Sequence, residues 1–257
     1  MNKKDVTVTL LISTYNWLDA LKRVLKGVEC QTVLPDEIVI ADDGSREDTV
    51  QFIQQYAQTS SVPVRHVWHE DKGFRKSMIL NKAVAQSTGD YIIEIDGDVI
   101  PERHFVEDHL SVARRGCFVC GGRVMLTDDG RVASSHRFNC IRSRMLRMLT
   151  LRLCTAFNVK YIKGCNMAFW RSDYIRVNGY DETMEGWGSE DHEFVARLFF
   201  SGVSYRRLKF GGIVYHIRHE IASRDSAQDN REFYHKVCRE RRVRTDNGVD
   251  KYIERNA

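Results

Sequence analysis

Two aspartates one residue apart, Asp96 and Asp98, follow the apolar run Tyr91-Ile-Ile-Glu-Ile95 and flank Gly97. Carboxylates are hard oxygen donors, and a pair at this spacing can hold Mg²⁺ or Mn²⁺ against a diphosphate. The intervening glycine lets the chain turn sharply and lets a ligand come close. A cation held there offsets the negative charge that grows on a departing phosphate. An ordinary acidic turn has the same sequence, so the pair means little without company.

Company is present. Asp42-Asp43-Gly44-Ser45 also closes an apolar run, and a carboxylate in that position can accept the imide N–H of uracil or a ribose hydroxyl. The bland reading is a turn in which Ser45 caps the helix that follows. Asp71-Lys72-Gly73-Phe74-Arg75-Lys76-Ser77, with Asn81 one turn on, opens a helix. Cations there oppose the helix dipole and need an anion nearby; a diphosphate fits. Gly186-Trp187-Gly188-Ser189-Glu190-Asp191 joins flexible glycines, an aromatic that can stack on a sugar face, and two acids. Either Asp191 or Glu190 can act as general base on a hydroxyl, although Ser189 followed by acids is also a good helix start. His216 ends the apolar run Gly212-Ile-Val-Tyr215 and can supply a further metal ligand; His219 competes for that role.

These residues need elements to position them. Residues 6–12 read as a strand, 17–29 as a helix with Leu18, Leu21, Val24, Leu25 and Val28 on one face, and 37–41 as a second strand. A helix at 47–58, a strand at 63–68, a helix at 75–87 and a strand at 91–95 continue the pattern. Such alternation predicts an α/β fold with a mostly parallel, Rossmann-like sheet and right-handed crossovers. Ligands bind outside the carboxyl ends of such strands. Ser13-Thr14-Tyr15-Asn16, Asp42 to Ser45 and Asp96 to Asp98 therefore share one crevice. No Gly-x-Gly-x-x-Gly loop is present. Beyond Pro101 the pattern loosens into an acceptor-side lobe: a helix at 102–115, strands at 117–126 and 165–170, a helix at 190–201, short strands within 203–216, and a charged helix at 226–244.

At 257 residues, 42% hydrophobic and 29% charged, the chain suits one globular domain. A net charge of +4 is too small to imply nucleic acid. No stretch is long enough to span a bilayer and no cleavable leader is visible, which predicts a cytoplasmic location. The seven scattered cysteines, with one Cys117-x-x-Cys120, read as reduced thiols rather than a zinc site. Residues 137–152 alternate Arg137, Arg142, Arg144, Arg147 and Arg152 with Ile141, Met145, Leu146, Met148, Leu149 and Leu151. A basic amphipathic helix there is a candidate for peripheral contact with anionic lipid at the inner face of the cell membrane. The other reading packs it on the core with its arginines solvated.

Taken together, the motifs resemble a family 2 glycosyltransferase of the GT-A fold over residues 5–220. Ser13-Thr14-Tyr15-Asn16, Asp42-Asp43-Gly44-Ser45, Gly73-Phe74-Arg75 and Asp96-Gly97-Asp98 match its nucleotide-binding pattern. Gly164-Cys-Asn-Met-Ala-Phe169, Asn178-Gly-Tyr-Asp-Glu182 and Gly186-Trp-Gly-Ser-Glu-Asp191 resemble the acceptor-side motifs of chondroitin polymerases and β-1,4-galactosyltransferases. The resemblance implies one domain, 1–257. Its nucleotide-sugar half is 5–100, its acceptor half 101–220, and its C-terminal helical segment 221–257. It implies that Ser13, Tyr15 and Asp43 hold uridine, with Thr14, Asp42 and Gly73 in the same motifs. Arg75 and Asn81 lie near the diphosphate and sugar. Asp98 is the principal ligand of Mn²⁺ or Mg²⁺, with Asp96 toward the ribose or a metal-bound water and His216 completing the site. Asp191 is the base, with Glu190 and Trp187 on the sugars.

The implied reaction is inverting transfer from a UDP-sugar to a glycan or lipid-linked acceptor, in surface polysaccharide or lipopolysaccharide synthesis. Two other functions compete with this one. A nucleotidyltransferase needs a glycine-rich basic loop where Ser13-Thr14-Tyr15-Asn16 stands. A non-catalytic glycan-binding protein on the same fold would have lost the paired aspartates or the base.

Overall fold

The computed structural model describes residues 6–153, 162–219 and 224–253; residues 254–257 of the C-terminal segment lie outside them. Strand β1 (Val8–Thr14), helix α1 (Leu18–Glu29), β2 (Glu37–Asp42), α2 (Glu47–Thr59), β3 (Val64–Trp68), α3 (Lys76–Gln86) and β4 (Tyr91–Asp96) follow the expected alternation. All seven residues of β1 and all six of β2 are buried. Strands covered on both faces read as continuous apolar runs, as these do.

The second half supplies β5 (Val99–Pro101), α4 (Phe105–Val112), β6 (Cys117–Cys120), β7 (Arg123–Met125), α5 (Arg144–Leu153), β8 (Asn166–Trp170), α6 (Arg171–Arg176), α7 (Glu190–Phe200), β9 (Ser204–Arg207), β10 (Val214–His216) and α8 (Ala227–Glu240). Seven strands form one sheet in the order β3-β2-β1-β4-β8-β6-β9. Only β8 runs against the rest, so the sheet is mostly parallel. Side-chain alternation divides the core into two layers. Leu10, Ile12, Ile93 and Ile95 pack with α1 and α4 on one face. Leu11, Val39 and Ile92 pack with α3, α6 and α7 on the other.

Three sequence expectations need correction. The strand expected at 117–126 is two strands in different sheets, because β7 joins β5 and β10 in a three-stranded sheet. The break falls at Gly121-Gly122, where fully buried Asn166 donates from Nδ2 to the carbonyls of Gly122 and Gly212, both at 2.8 Å. Ser45 does not cap α2; its hydroxyl accepts the Asn16 amide at 2.8 Å. Ser189 sits before α7 in the left-handed region, φ 66°, and its side chain makes no capping bond.

The arginine-rich stretch contains a 3₁₀ turn at Ser134–Cys140 and then α5. Two of its arginines are committed to the core. Arg142 Nε and Nη2 donate to fully buried Asp108 at 3.0 and 2.9 Å, and Arg147 also pairs with it. Phe138, Ile141, Met145, Met148 and Leu149 remain exposed. Among the described residues no helix is long and apolar enough to cross a membrane.

Candidate active site

Strand register levels the polar clusters at one sheet edge. Ser13 is paired with Ala41 on one side and Asp96 on the other, and Thr14 with Asp42. A cleft of about 980 Å³ opens there and is lined by Ser13, Thr14, Tyr15, Asp43, Asp96 and Asp98. That volume lies at the upper end of ordinary small-molecule sites.

Asp43 is held from both sides. Its Oδ1 is 2.6 Å from Nε2 of buried His69, and its Oδ2 accepts the Arg75 amide at 2.9 Å. Asp42, by contrast, is fully buried behind the cleft. Its Oδ1 accepts the Ser45 amide at 2.8 Å and its Oδ2 meets His66 Nε2 at 2.9 Å. Asp42 shapes the turn that presents Asp43.

On β4 the even positions face α3 and α7, so Glu94 and Asp96 point the same way. The Ser13 hydroxyl donates to Asp96 Oδ1 at 2.8 Å and the Lys76 ammonium at 2.5 Å. Burial opposes charge on both partners. For Lys76 the carboxylates of Asp96, Glu190 and Glu94 overcome it and hold the ammonium above its usual range. For Asp96 the Lys76 charge overcomes it and holds the carboxyl below the usual range. Glu94 has less help: burial pushes it up to about 8, against Lys76 and the Tyr180 hydroxyl, which donates to Oε1 at 2.9 Å.

Gly97 lets the chain pass from this face to the next. A Cβ there would lie 2.8 Å from the Ser13 carbonyl, so the turn tolerates no side chain. Asp98 then faces two imidazoles. Its Oδ2 is 3.4 Å from Nε2 of His216 and 3.0 Å from Nε2 of His219. His216 Nδ1 lies 2.9 Å from the Ile217 carbonyl, which can only accept, so the proton sits on Nδ1. Burial lowers the His216 pKa, which favours the neutral ring and leaves the Nε2 lone pair aimed at a carboxylate. Asp98 Oδ1 is buried without a hydrogen-bond partner. Burial, and then the Asp96 charge, push the Asp98 carboxyl up.

An imidazole lone pair and an unpartnered carboxylate oxygen at one point are what a divalent cation relieves, and the donor set of one carboxylate and two imidazoles suits such an ion. The ligand atoms of Asp98, His216 and His219 all lie within 4.8 Å of one another. Asp96, held by Lys76 and Ser13, is not in that group.

The opposite wall comes from the first turn of α7 and the loop before it. Asp191 Oδ2 accepts the Gly164 amide at 2.9 Å and Oδ1 accepts the His192 amide at 2.7 Å. A Cβ on Gly164 would press on the Asp191 carboxylate at 3.1 Å. Glu190 accepts the Gly188 amide at 3.1 Å, and burial beside Asp191 pushes its carboxyl up to about 7. Trp187, 40% exposed, stands at the rim with Arg224 5.3 Å over its ring.

Ten residues singled out in the sequence thus line one cleft: Ser13, Thr14, Tyr15, Asp43, Asp96, Asp98, Trp187, Glu190, Asp191 and His216. Asp42, Gly73, Arg75 and Asn81 are not in its lining. Gly73 is exposed, and its amide donates to Asp71 at 3.0 Å. Arg75 turns back to the Glu70 carbonyl. Asn81 is fully buried, accepting from the Tyr174 hydroxyl and donating to Glu182 at 2.8 Å, so it ties α3 to the Asn178–Glu182 turn.

Sequence reasoning overlooked His69 as the partner of Asp43. It named Lys76 only as part of a basic turn. The signal for Lys76 was its place at a helix N-terminus, where a cation requires an anion; that anion is Asp96.

A family model described as Glycosyl transferase family 2 matches residues 9–177. One described as the N-terminal domain of galactosyltransferase matches residues 153–220. The chain is similar to chondroitin synthase of Pasteurella multocida (strain Pm70), at 25% identity over 247 residues, covering 83% of this chain and 25% of that protein. Chondroitin synthase of Escherichia coli is 23% identical over 240 residues, covering 81% of this chain and 34% of that protein. The chain therefore spans a quarter to a third of the length of these relatives. The crystal structure of S. aureus TarS 1-349 in complex with UDP-GlcNAc matches with a TM-score of 0.68 at 16% identity, covering 96% of this chain and 69% of that one. That likeness establishes the GT-A fold.

Proposed function

This chain belongs to glycosyl transferase family 2, and from that premise we propose that it transfers a sugar from a UDP-sugar to a glycan or lipid-linked acceptor with inversion at the anomeric carbon. One observation carries the reading. The same cleft holds an unsatisfied carboxylate faced by two imidazoles and, across from it, a carboxylate fixed by a backbone amide.

In this reading residues 5–100 bind the donor, 101–220 the acceptor, and both halves belong to one domain. Ser13, Thr14 and Tyr15 line the nucleotide end, where Asp43, oriented by His69, accepts from the uracil imide or a ribose hydroxyl. Asp98, His216 and His219 would hold Mn²⁺ or Mg²⁺, which would supply positive charge beside the diphosphate. Lys76 keeps Asp96 ionised against burial, so that Asp96 accepts from the ribose or from metal-bound water.

Asp191 takes the proton of the acceptor hydroxyl, its rotamer set by the Gly164 amide. The hydroxyl oxygen attacks the anomeric carbon on the face opposite the diphosphate. The bond to the β-phosphate oxygen breaks, UDP leaves with the electron pair, and Asp191 keeps the proton. Glu190 and Trp187 hold sugar rings on either side of that line.

The test supplies a panel of UDP-sugars and saccharide acceptors with Mn²⁺, and follows both UDP release and the anomeric configuration of the product by NMR. The reading expects a product of opposite configuration to the donor. Retention, or no transfer from any UDP-sugar together with no UDP binding, defeats it.

In this reading the protein works at the inner face of the cell membrane, in surface polysaccharide or lipopolysaccharide synthesis. From Gly130 to Ser172 there is no acidic residue. With Arg142 and Arg147 engaged by Asp108, exposed Arg137 and Arg144 remain beside exposed Phe138, Met145 and Leu149. Cations and apolar side chains interleaved in this way suit an anionic lipid surface. Wild type should pellet with phosphatidylglycerol liposomes and a Phe138→Ser/Met145→Ser/Leu149→Ser variant should not. Negligible pelleting of wild type removes the membrane contact.

A further inference from the structure

One cation of the cleft, Arg123, stands beside the metal ligands. It opens β7, which pairs in parallel with β10, Arg123 beside Val214 and Met125 beside His216. Residues two apart share a face of a strand, and paired residues share it across strands. Arg123, Met125 and His216 accordingly all line the cleft, while Val124 is buried. Two residues of strand span about 7 Å, a distance an arginine side chain covers. Asn166 fixes the approach of the two strands. Its amide holds the carbonyl of Gly122, next to Arg123, and that of Gly212, two residues before Val214, both at 2.8 Å.

The charge of Arg123 reaches the site. Burial does most to lower the His216 pKa; Asp98 opposes it and Arg123 adds to it. Burial pushes the Cys165 thiol, in the same lining, up to about 12, with Asp96 and Asp98 acting the same way and Arg123 against them. Arg123 is half-buried, and among the described residues it forms no ion pair. The nearby acids have other partners: Lys76 and Ser13 hold Asp96, and His216 and His219 face Asp98. A divalent ion on Asp98 would sharpen the need for an anion. One carboxylate cancels only half of its charge, and imidazoles bind metal as neutral rings, so ion and guanidinium would repel each other until an anion lay between them. A diphosphate is such an anion, and an arginine fork meets two phosphate oxygens at once. Arg75, expected at the diphosphate, turns back to the Glu70 carbonyl and does not line the cleft.

We propose that Arg123 is a further catalytic residue, which binds the β-phosphate of the UDP-sugar and stabilises the departing UDP in place of Arg75. The bond from the anomeric carbon to the β-phosphate oxygen breaks and its electron pair stays on that oxygen. Arg123 donates N–H groups to the phosphate as this charge grows and keeps its own protons. The contact strengthens from donor to product, so it lowers the barrier as well as tightening the nucleotide. The proposal rests on the transferase reading and adds a residue on its leaving-group side.

The test takes the full chain as wild type, Arg123→Gln and Arg123→Lys. Calorimetry follows Mn²⁺ alone, and then UMP and UDP at saturating Mn²⁺. In Arg123→Gln, UDP affinity should fall about tenfold or more. UMP lacks the β-phosphate, and its affinity should fall by about twofold or less. Affinity for Mn²⁺ alone should be unchanged or higher, since a repelling charge is gone. Arg123→Lys keeps the charge but not the fork, and should bind UDP more tightly than Arg123→Gln and less tightly than wild type. With the UDP-sugar that the transfer panel identifies, kcat of Arg123→Gln should fall by about 10². UDP affinity within about twofold of wild type in Arg123→Gln, equal losses for UMP and UDP, or an unchanged kcat overturns the proposal. Loss of Mn²⁺ binding in Arg123→Gln overturns it too, by assigning Arg123 to the shape of the metal site. Failure of wild type to bind UDP at all instead removes the transferase reading, and the proposal with it.

Discussion

The Lys76 ammonium lies 2.5 Å from Oδ1 of Asp96, so the two carboxylates of Asp96-Gly97-Asp98 have different tasks. The first is held ionised by a cation from α3. The second is left with two imidazoles and an unpartnered oxygen. Lys76 also sits within reach of the charges on Glu94 and Glu190, and so links the donor half to the start of α7, which carries the base.

Glu190 should set the acid limb of the pH–rate profile. Its carboxyl is pushed up to about 7 by burial and by Asp191. Protonation removes an acceptor and a negative charge beside the base, so kcat should fall as pH drops below about 7. Glu190→Gln should abolish that limb. Lys76→Met should move it to higher pH, because the Lys76 charge holds Glu190 down. A limb unchanged in both variants contradicts the assignment.

Glu94 makes stability depend on pH in the opposite sense from an ion-paired acid. Its folded pKa, about 8, is raised above the ordinary 4.5 by burial. The folded state therefore holds a proton that the unfolded chain has released. This contribution is fully present below about 4.5 and is lost as pH rises through about 8. Glu94→Gln keeps the acceptor for the Tyr180 hydroxyl and cannot ionise. Urea unfolding at pH 5 and pH 8.5 should show the variant gaining on wild type by roughly 3 kcal/mol across that interval.

Asp108 should matter for folding although it lies outside the cleft. It accepts from Arg142, Arg147 and the Gly212 amide, the last at 3.0 Å. Arg147 is 4% exposed, so Asp108→Ala strands a buried cation. A stability loss of about 3–5 kcal/mol is expected in urea titrations. Because Gly212 leads into β10, the variant should also bind Mn²⁺ more weakly.

Asp191→Asn should separate binding from chemistry. The amide oxygen can still accept from Gly164, so the start of α7 keeps its place, but the proton acceptor is gone. Turnover should fall by about 10²–10⁴, while UDP affinity measured by calorimetry stays within about twofold, since Asp191 makes no donor contact in this account.

Much of this was legible in the chain because strand ends in a parallel sheet converge whatever the details. The apolar runs of β1, β2 and β4 placed Ser13, Asp43 and Asp96 together without any knowledge of side chains. What was hidden depends on direction at a single residue. Arg75 and Lys76 are neighbours at the start of α3, and only the helix phase decides that Lys76 enters the cleft while Arg75 turns to the Glu70 carbonyl. Asn81 reads as a polar ligand in the sequence, yet its amide is consumed by the Asn178–Glu182 turn about a hundred residues on. The split of β6 from β7 depends on Asn166, whose reach across to Gly122 and Gly212 no local pattern encodes.

The most direct test of a metal-assisted UDP site is calorimetric titration of UDP into wild type and Asp98→Ala, each with and without Mn²⁺. Asp98 lines the cleft, and its orphaned oxygen is the strongest sign of an ion. The account predicts that Mn²⁺ tightens UDP binding to wild type by about tenfold or more and has no effect on the variant. UDP binding that is equally tight with and without Mn²⁺, or unchanged in Asp98→Ala, would contradict it.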